Sequence, residues 1–372
     1  MAQPRLCVTG AFLAMLSLSW ALPAVNRTQR VHYTGHRLVS VTPKTPAHAS
    51  LLSALENRLR ADVWQDANYL RPSELVRLRP EVAGEFVTAA TQSGMTVTTL
   101  TSNVQELIDD ERKEMRFTTY STEKSRFERY LKYKEFKSAL KEYAKTYDHV
   151  KFTSIGRSYE GRDLIGVHLA TQYDKDEDIK SLVSKYEWRI YPLVNPDGYE
   201  YSHNTDRLWR KTRSKSRVNS ECYGADANRN FDIGDFCKPE VRAIRDALKD
   251  IKGRTEFYFA MHSFGLLWMF PYAYTKTPSA DHELLVSDYI AVLAVLVLKS
   301  GNAQYPSLKM RYQSSGSSLD WAYDRAGIKK SFVLELEPSS QAFDWKKAFM
   351  LSPREILGVA KETWEGIKAA VA

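Results

Sequence analysis

The chain between residues 31 and 116 alternates between strand-like and helix-like patterns. Alternating or β-branched residues in HRLVSVTP and TVTTLTS are typical of short strands. Apolar residues recur at helical spacing in HASLLSALENRLRADVW, EFVTAATQSGM and NVQELIDDERKEM, and Asn103 stands in the N-cap position of the last stretch. These patterns predict a small α+β module, to which we assign residues 25–116.

Another alternation of strands and helices begins at Phe117 and continues to the end of the chain. Helices are predicted for RYLKYKEFKSALKEYAKTY, DKDEDIKSLVSKY, PEVRAIRDALKDI and SPREILGVAKETWEGIKAAV. Two strands around a glycine turn are predicted for VKFTSIGRSYEGRDLIGVHLA, and single strands for TEFYFAMHSF and SFVLELEP. The stretch EWRIYPLVNPDGYEY predicts a buried strand that ends in a Pro-Asp-Gly turn. The run YIAVLAVLVL is too short to cross a bilayer and predicts a buried helix.

Strands that alternate with helices predict an α/β domain over residues 117–372, with a mixed, mostly doubly wound sheet and helices on both faces. Functional groups in such folds gather at the carboxyl ends of the strands. His262 lies at one of these ends, after the apolar residues FYFAM. We therefore expect a functional site around His262.

Composition narrows the class of protein. The 372 residues are 43% hydrophobic and 12% aromatic, which suits one large and one smaller globular domain and excludes collagenous or disordered chains. The net charge of +8 permits anionic partners without identifying one. We predict a monomer that binds neither nucleic acid nor a membrane.

The N-terminus predicts secretion. Arg5, an apolar stretch and small residues up to residue 24 have the layout of a signal peptide, with an uncleaved anchor as the alternative. We assign residues 1–24 to this signal, and the mature protein to the extracellular space. Removal of the signal also removes Cys7, so the mature chain keeps Cys222 and Cys237, which predict one disulfide in an oxidising compartment.

The end of the N-terminal module has the features of an exposed connector. The charged run DDERKE and Arg116 suit a segment that proteases reach. A secreted enzyme with such a leader is often a zymogen, and we predict an activating protease that cleaves near Arg116. An ordinary N-terminal domain is the alternative.

Several polar groups of the second domain are candidates for chemistry. NTDRLWRKTRSKSR places six cations around one Trp, DANRNF groups three polar residues, and Tyr312 precedes a Ser/Gly-rich stretch. Glu335 lies in an apolar strand, where burial would raise its pKa and suit it to general-base chemistry. Taken singly, these features also fit a solvated basic loop, a carboxylate at a strand end and a structural histidine.

Their combination is more specific. SYEGR, NPDGYEYSH, RLWRKTR, DANRNF, MHSF, YQSSGSSLDWAY and SFVLELEP occur in the order found in secreted zinc carboxypeptidases. The chain resembles the carboxypeptidase A/B group of that family over nearly everything after the signal peptide. The N-terminal module is similar to its activation propeptide.

The resemblance implies a role for each matching residue. His262 corresponds to the later of two zinc-binding histidines, Glu335 to the general base and acid, and Arg210 to the arginine that stabilises the oxyanion. Zinc is the cofactor that the resemblance implies. Asp226 corresponds to a residue that orients the other zinc-binding histidine.

Substrate binding is implied in the same way. Asn228, Arg229 and Tyr312 match the residues that bind the free C-terminal carboxylate, for which a guanidinium is suited by its two parallel hydrogen bonds. Leu319 matches the floor of the pocket for the terminal side chain, and an apolar residue there resembles the A type. Cys222 and Cys237 match the family disulfide.

The chain departs from the family where the other zinc ligands belong. No H-x-x-E motif occurs among its eight histidines, and only TQY separates GVHLA from DKDEDI. A strand, the motif and most of a helix are expected there, roughly three to four dozen residues and more than a surface loop usually spans. A second shortening falls near residues 234–238, so the domain is truncated internally there and near residues 170–171.

The missing segment has chemical and structural consequences. One histidine does not hold a catalytic zinc, which uses three protein ligands, and Asp226 loses its histidine partner. The lost strand would also leave neighbouring strands without a partner.

Three hypotheses follow. In the first, the chain is an incomplete form of a metallocarboxypeptidase whose family releases hydrophobic C-terminal residues from extracellular or dietary peptides. In the second, it is a pseudoenzyme that binds peptide C-termini without cleaving them. In the third, it is a metal-free enzyme that uses Glu335 and Arg210. No nucleophile–base pair supports the third hypothesis. Retention of Glu335, Arg210 and His262 favours the first.

Overall fold

The structure is a computed structural model that describes residues 30–67, 72–117, 129–169, 180, 182, 184–216, 222–231, 238–265, 267–300, 314–336 and 349–372. The predicted signal peptide, Tyr312, Cys237 and most of the DKDEDIKSLVSKY stretch lie outside these residues. No helix among the described residues combines the length and the apolar character needed to cross a membrane.

The N-terminal module has the predicted α+β architecture. Its elements are β1 (Arg37–Thr42), α1 (Pro46–Leu59), β2 (Asp62–Gln65), β3 (Glu74–Leu78), α2 (Pro80–Gln92), β4 (Thr96–Thr101) and α3 (Val104–Phe117). The strands form an antiparallel sheet in the order β2-β3-β1-β4. Helix α1 begins after Thr45, whose side chain accepts the His48 N–H, and ends at Arg60, which adopts a left-handed conformation. The predicted continuation of this helix through Ala61–Trp64 is therefore wrong, since the chain reverses at Arg60 and enters β2.

Two apolar clusters hold the module in place. Helices α1 and α2 bury Leu52, Leu55 and Phe86 against one face of the sheet. On the other side, residues of the sheet and of α3 share a cluster with residues of the second domain: Tyr33, Leu38, Trp64, Leu75, Val104, Ile108, Phe264 and Met350. The module and the second domain are thus joined by a common core.

A carboxyl pair makes the stability of the module depend on pH. Burial, followed by the hydrogen bond and charge of Glu74, raises the pKa of Glu56 to about 9. A pKa raised on folding means that stability is fully present below the unfolded pKa and is lost as the pH rises towards 9. We expect amide hydrogen exchange in α1 and β3 to accelerate between pH 5 and pH 9, after correction for intrinsic rates. Glu56→Gln should flatten this profile and the exposed control Glu85→Gln should preserve it; an unchanged profile in Glu56→Gln would refute the assignment.

The second domain contains the remaining elements. They are α4 (Tyr133–Thr146), β5 (Val150–Arg157), β6 (Asp163–Leu169), β7 (Trp188–Ile190), α5 (Pro196–Asn204), α6 (Pro239–Lys249), β8 (Phe257–Ser263), β9 (Leu267–Met269), α7 (His282–Ser300), α8 (Ser318–Asp324), β10 (Lys330–Leu336) and α9 (Ile356–Val371). The predicted α/β class is confirmed. The described strands form two separate pieces, antiparallel β5-β6-β7 and mixed β8-β10-β9, in which β8 and β10 are parallel.

Some local predictions for this domain are wrong. The Pro-Asp-Gly segment is the first turn of α5, because Asn195 accepts the Gly198 N–H at 3.1 Å and Pro196 occupies a first-turn position. The preceding strand spans only Trp188–Ile190 and is not buried. Strand β9 and helix α8 were not predicted.

Candidate functional site

The parallel pairing of β8 and β10 places His262 beside Glu335. Their Cα atoms are direct partners in the register, so both side chains emerge near the carboxyl ends of adjacent strands. Both side chains are half-buried. Sequence reasoning expected this edge to hold the site, because parallel strands end at the same side of a sheet.

An ion pair lies near these two side chains, since Arg210 affects the pKa of both. Arg210 Nε donates to Asp226 Oδ2 at 2.8 Å. The other oxygen of Asp226 accepts the backbone N–H of Asn228 at 3.0 Å and caps the short 3₁₀ helix Ala227–Arg229. Asp226 therefore holds this helix and neutralises Arg210, a pairing that sequence reasoning missed.

The segment around Asn228 is tied to the start of α8. Asn228 Oδ1 accepts the Ser318 N–H at 3.0 Å, and its amide nitrogen lies 3.5 Å from His262 Nε2. Gly316 has a φ of +78°, and a Cβ there would lie 2.5 Å from the Arg229 carbonyl oxygen. Only glycine allows this close approach, which fixes the 3₁₀ helix against α8.

Leu319 closes the apolar end of the site. It is buried on α8 and packs with Met269 of β9 and Val333 of β10. Arg229, in contrast, is exposed, and its guanidinium contacts the carbonyl of Asn228. A pocket with an exposed guanidinium and an apolar floor suits a ligand with one carboxylate and one apolar side chain.

One cavity of about 1350 Å³ collects these groups. It is lined by the predicted site residues Arg210, Asp226, Asn228, Arg229, His262, Leu319 and Glu335. Tyr312 lies outside the described residues, so its predicted place in the site stays a prediction. Seven residues drawn from separate parts of the sequence thus converge on one cavity.

Burial tunes two of these groups in opposite directions. It raises the pKa of Glu335 to about 7, although Arg210 and Arg229 act in the other direction. Burial, followed by the charge of Arg210, lowers the pKa of His262 to about 4. At neutral pH the imidazole is therefore uncharged, while Glu335 exchanges a proton readily.

The donor set around His262 does not fit zinc. Among the described residues, no three His, Cys, Asp or Glu side chains are grouped so that they could hold a metal ion. The whole sequence contains no H-x-x-E motif. Asp226 is engaged by Arg210, and the side-chain nitrogen nearest to the imidazole Nε2 among the contacts of the described chain belongs to the amide of Asn228, which is not a zinc ligand of this kind of site. A catalytic zinc needs three protein ligands, and the described residues around His262 do not supply such a set.

The N-terminal module contributes to the lining of the cavity, and an ion pair between the half-buried Arg207 and the buried Glu111 joins it to the second domain. Arg207 donates two hydrogen bonds to Glu111 of α3, at 2.6 and 2.5 Å, and one to the Phe349 carbonyl at 2.8 Å. Tyr33 donates to Asp206 at 2.7 Å. Sequence reasoning missed this ion pair, since a charge run such as DDERKE does not reveal its partner.

Two further predictions concern residues near the edges of the described chain. Arg116 is exposed in the last turn of α3, as a cleavage site requires, but residues 118–128 are not described. Cys222 is exposed and its thiol is free in this structure, while Cys237 lies outside the described residues. The cleavage near Arg116 and the disulfide remain predictions.

Comparison with known families and proteins gives two family matches. The family described as zinc carboxypeptidase matches residues 165–366, and the carboxypeptidase activation peptide matches residues 39–111. Carboxypeptidase A2 of Rattus norvegicus is 31% identical, with 90% of this chain and 93% of the relative covered. Zinc carboxypeptidase A 1 of Anopheles gambiae is 26% identical, with 95% and 93% covered. The crystal structure of carboxypeptidase A from Helicoverpa armigera superposes with a TM-score of 0.81 at 25% identity, covering 91% of this chain and 97% of that one.

The alignment with the rat relative also shows that this chain is shortened. It spans 399 positions, but 90% of 372 residues is only about 335, so about 64 positions of the relative have no counterpart here. That number is in keeping with the two internal shortenings predicted from the sequence.

Proposed function

Because the chain belongs to the zinc carboxypeptidase family, we propose that it is an incomplete form of an A-type metallocarboxypeptidase that does not itself hydrolyse peptides. The family activity would be zinc-dependent release of a hydrophobic C-terminal residue from extracellular or dietary peptides. The observation that carries the proposal is the single cavity in which Glu335, Arg210 and the carboxylate-binding residues lie with His262, while the described residues contain no group of three side chains that could hold a metal ion.

The residues that remain support binding without cleavage. Arg229 and Asn228 would hold the C-terminal carboxylate of a peptide, and Leu319 would receive its apolar side chain. Glu335 would accept a proton near neutral pH. Hydrolysis by this family needs a metal to activate water, and the donor set here does not fit one.

We also propose the cellular setting that the sequence predicts. Residues 1–24 would direct secretion, and residues 25–116 would act as a propeptide released by a protease that cleaves near Arg116. The partners would be peptides and proteins bound through their C-termini, and the chain would be a monomer.

A pseudoenzyme that binds C-termini is the second candidate. The Arg210–Asp226 pair favours it, because this pair gives both charged groups a partner without the missing histidine. Sequencing of transcripts across the Ala170–Thr171 junction separates the two: a longer transcript supports the incomplete form, and the short transcript alone supports the pseudoenzyme.

Ligand binding tests the proposal on the intact chain. We expect N-acetyl-phenylalanine to bind and its C-terminal amide to bind far more weakly. Arg229→Ala should weaken binding of the acid roughly 10- to 100-fold, because hydrogen bonds to charged groups contribute about 1.5–3 kcal/mol. Isothermal titration calorimetry measures both, with the exposed Lys211→Ala as the matched control.

An activity assay completes the test. We expect no release of phenylalanine from a peptide that ends in it, before or after cleavage of the chain with trypsin and with or without added zinc. Release that a chelator abolishes, or equal affinity for the acid and the amide, would contradict the proposal.

A further inference from the structure

The two sheet pieces of the second domain end at neighbouring strands. In the part of the chain that the structure describes, β7 is the last strand of one piece and β8 the last strand of the other. We name the space between their outer edges the sheet gap and define it by Trp188, Ile190, Phe257 and Met261. The backbone N–H and C=O groups on an outer edge are free to pair with a further strand.

Shared packing shows that the two edges lie side by side. Trp188 of β7 packs into the same apolar cluster as Phe257 and Phe259 of β8. The Trp188 ring lies 5.7 Å from Trp364 of α9, and Tyr186 meets Phe257 edge-on at 5.6 Å. Helix α9 therefore forms a common floor beneath both edges.

Apolar side chains at the far end of the sheet gap are exposed to solvent. Along one face of β8, Phe257 and Phe259 pack into the cluster, whereas Met261, the next residue on that face, is 48% exposed. Ile190 on β7 is 42% exposed. Large apolar side chains at this exposure, beside a strand edge that no other described strand pairs with, mark a surface suited to contact with another chain.

The sequence of strand β8 lacks the side chains that commonly protect an edge. Its sequence FYFAMHS contains no Lys, Arg, Asp, Glu or Pro, the residues that natural edge strands use to prevent pairing. Strands that pair in parallel normally lie in sheets whose two faces are both covered. Its chemistry is that of an interior strand, although it now stands at an edge.

The comparisons indicate what would fill the gap. The alignment with the rat relative contains about 64 positions without a counterpart here, and the sheet is interrupted between elements that flank the shortening predicted after Leu169. From these observations we infer that the sheet gap is a peptide-binding site, which accepts an extended segment with apolar side chains as an added strand on β8. Main-chain hydrogen bonds to β8 would supply affinity, and contacts with Met261 and Ile190 would supply selectivity.

A peptide supplied in trans tests this inference. The probe is a synthetic peptide with the residues of rat carboxypeptidase A2 that have no counterpart between Leu169 and Trp188, and a scrambled peptide is the control. Both are titrated into the intact chain with a chelator present, so zinc plays no part. We expect saturable binding of the probe, at least 10-fold weaker binding of the scrambled peptide, and slower amide exchange in β8.

Variants place the binding in the gap. Met261→Lys and Ile190→Lys should each weaken binding at least 10-fold, while Leu284→Lys, at an exposed apolar position on α7, should leave it unchanged. If Met261→Lys fails to fold, two other measurements show whether the peptide binds in the sheet gap. They are the affinity of Ile190→Lys and the amide exchange of β8 in the unmodified chain.

Several outcomes would overturn the inference. The first three are the absence of saturable binding, unchanged binding by the Met261→Lys and Ile190→Lys variants, and binding that does not slow amide exchange in β8. The fourth is a dimer that Met261→Lys dissociates, because a second copy of the chain would then fill the sheet gap. The inference is independent of the proposed function, because binding is measured without metal and without hydrolysis.

Discussion

Insertion of the missing segment between Ala170 and Thr171 is expected to give a chain that binds one zinc ion and hydrolyses C-terminal peptide bonds. The segment is taken from rat carboxypeptidase A2, which aligns with 90% of this chain. His262, Glu335, Arg210 and Arg229 already share one cavity, so the insert has to supply only the absent ligands. A metal that activates water and stabilises charge should raise the rate at least ~10³-fold over the unmodified chain.

The control is the same insertion with the histidine of the H-x-x-E motif replaced by alanine. This control adds the same segment but lacks one zinc ligand. We expect it to fold without gaining activity. Release of phenylalanine, measured after trypsin cleavage, reports the result. A folded chimaera that binds zinc but hydrolyses nothing would show that other site residues are no longer competent.

Arg207→Ala is expected to have the largest effect on stability of any single change at the interface between the two domains. Glu111 is almost fully buried and its carboxylate accepts both hydrogen bonds of the Arg207 fork. Removal of one partner leaves a buried charge unpaired, which costs about 3–5 kcal/mol. Chemical denaturation of the intact chain measures the loss, and faster amide exchange in α3 would place it at the interface.

Two further variants test whether the effect of Arg207→Ala comes from the ion pair with Glu111. Lys113→Ala breaks an exposed pair on the same helix, and we expect no measurable change. Glu111→Gln combined with Arg207→Met should recover part of the stability, because no unpaired charge remains at Glu111. Equal effects of Arg207→Ala and Lys113→Ala would mean that the pair does not lock the module.

The sequence was informative where local pattern and ordered motifs agree. The apolar strands that end at His262 and Glu335 have clear strand periodicity, so their adjacent placement at one edge of the sheet was predictable. Helix α5 was also within reach, because Asn195 followed by Pro196 is a helix start signal that was read as a turn.

Long-range pairings were not predictable from pattern. The Arg207–Glu111 pair joins residues 96 positions apart, and the charged residues around each of them do not predict which residue it pairs with. The Arg210–Asp226 pair exists beside an incomplete ligand set, a situation that the family motifs do not describe. The division of the sheet into two pieces likewise depends on which strands find neighbours in space.

The metal content of the purified chain tests the central claim most directly. The chain is expressed with its N-terminal module, equilibrated with micromolar zinc, passed through a desalting column and analysed by inductively coupled plasma mass spectrometry. We expect a zinc content close to zero per chain, equal to that of a His262→Ala variant. One zinc ion per chain that survives desalting and is lost in His262→Ala would contradict it.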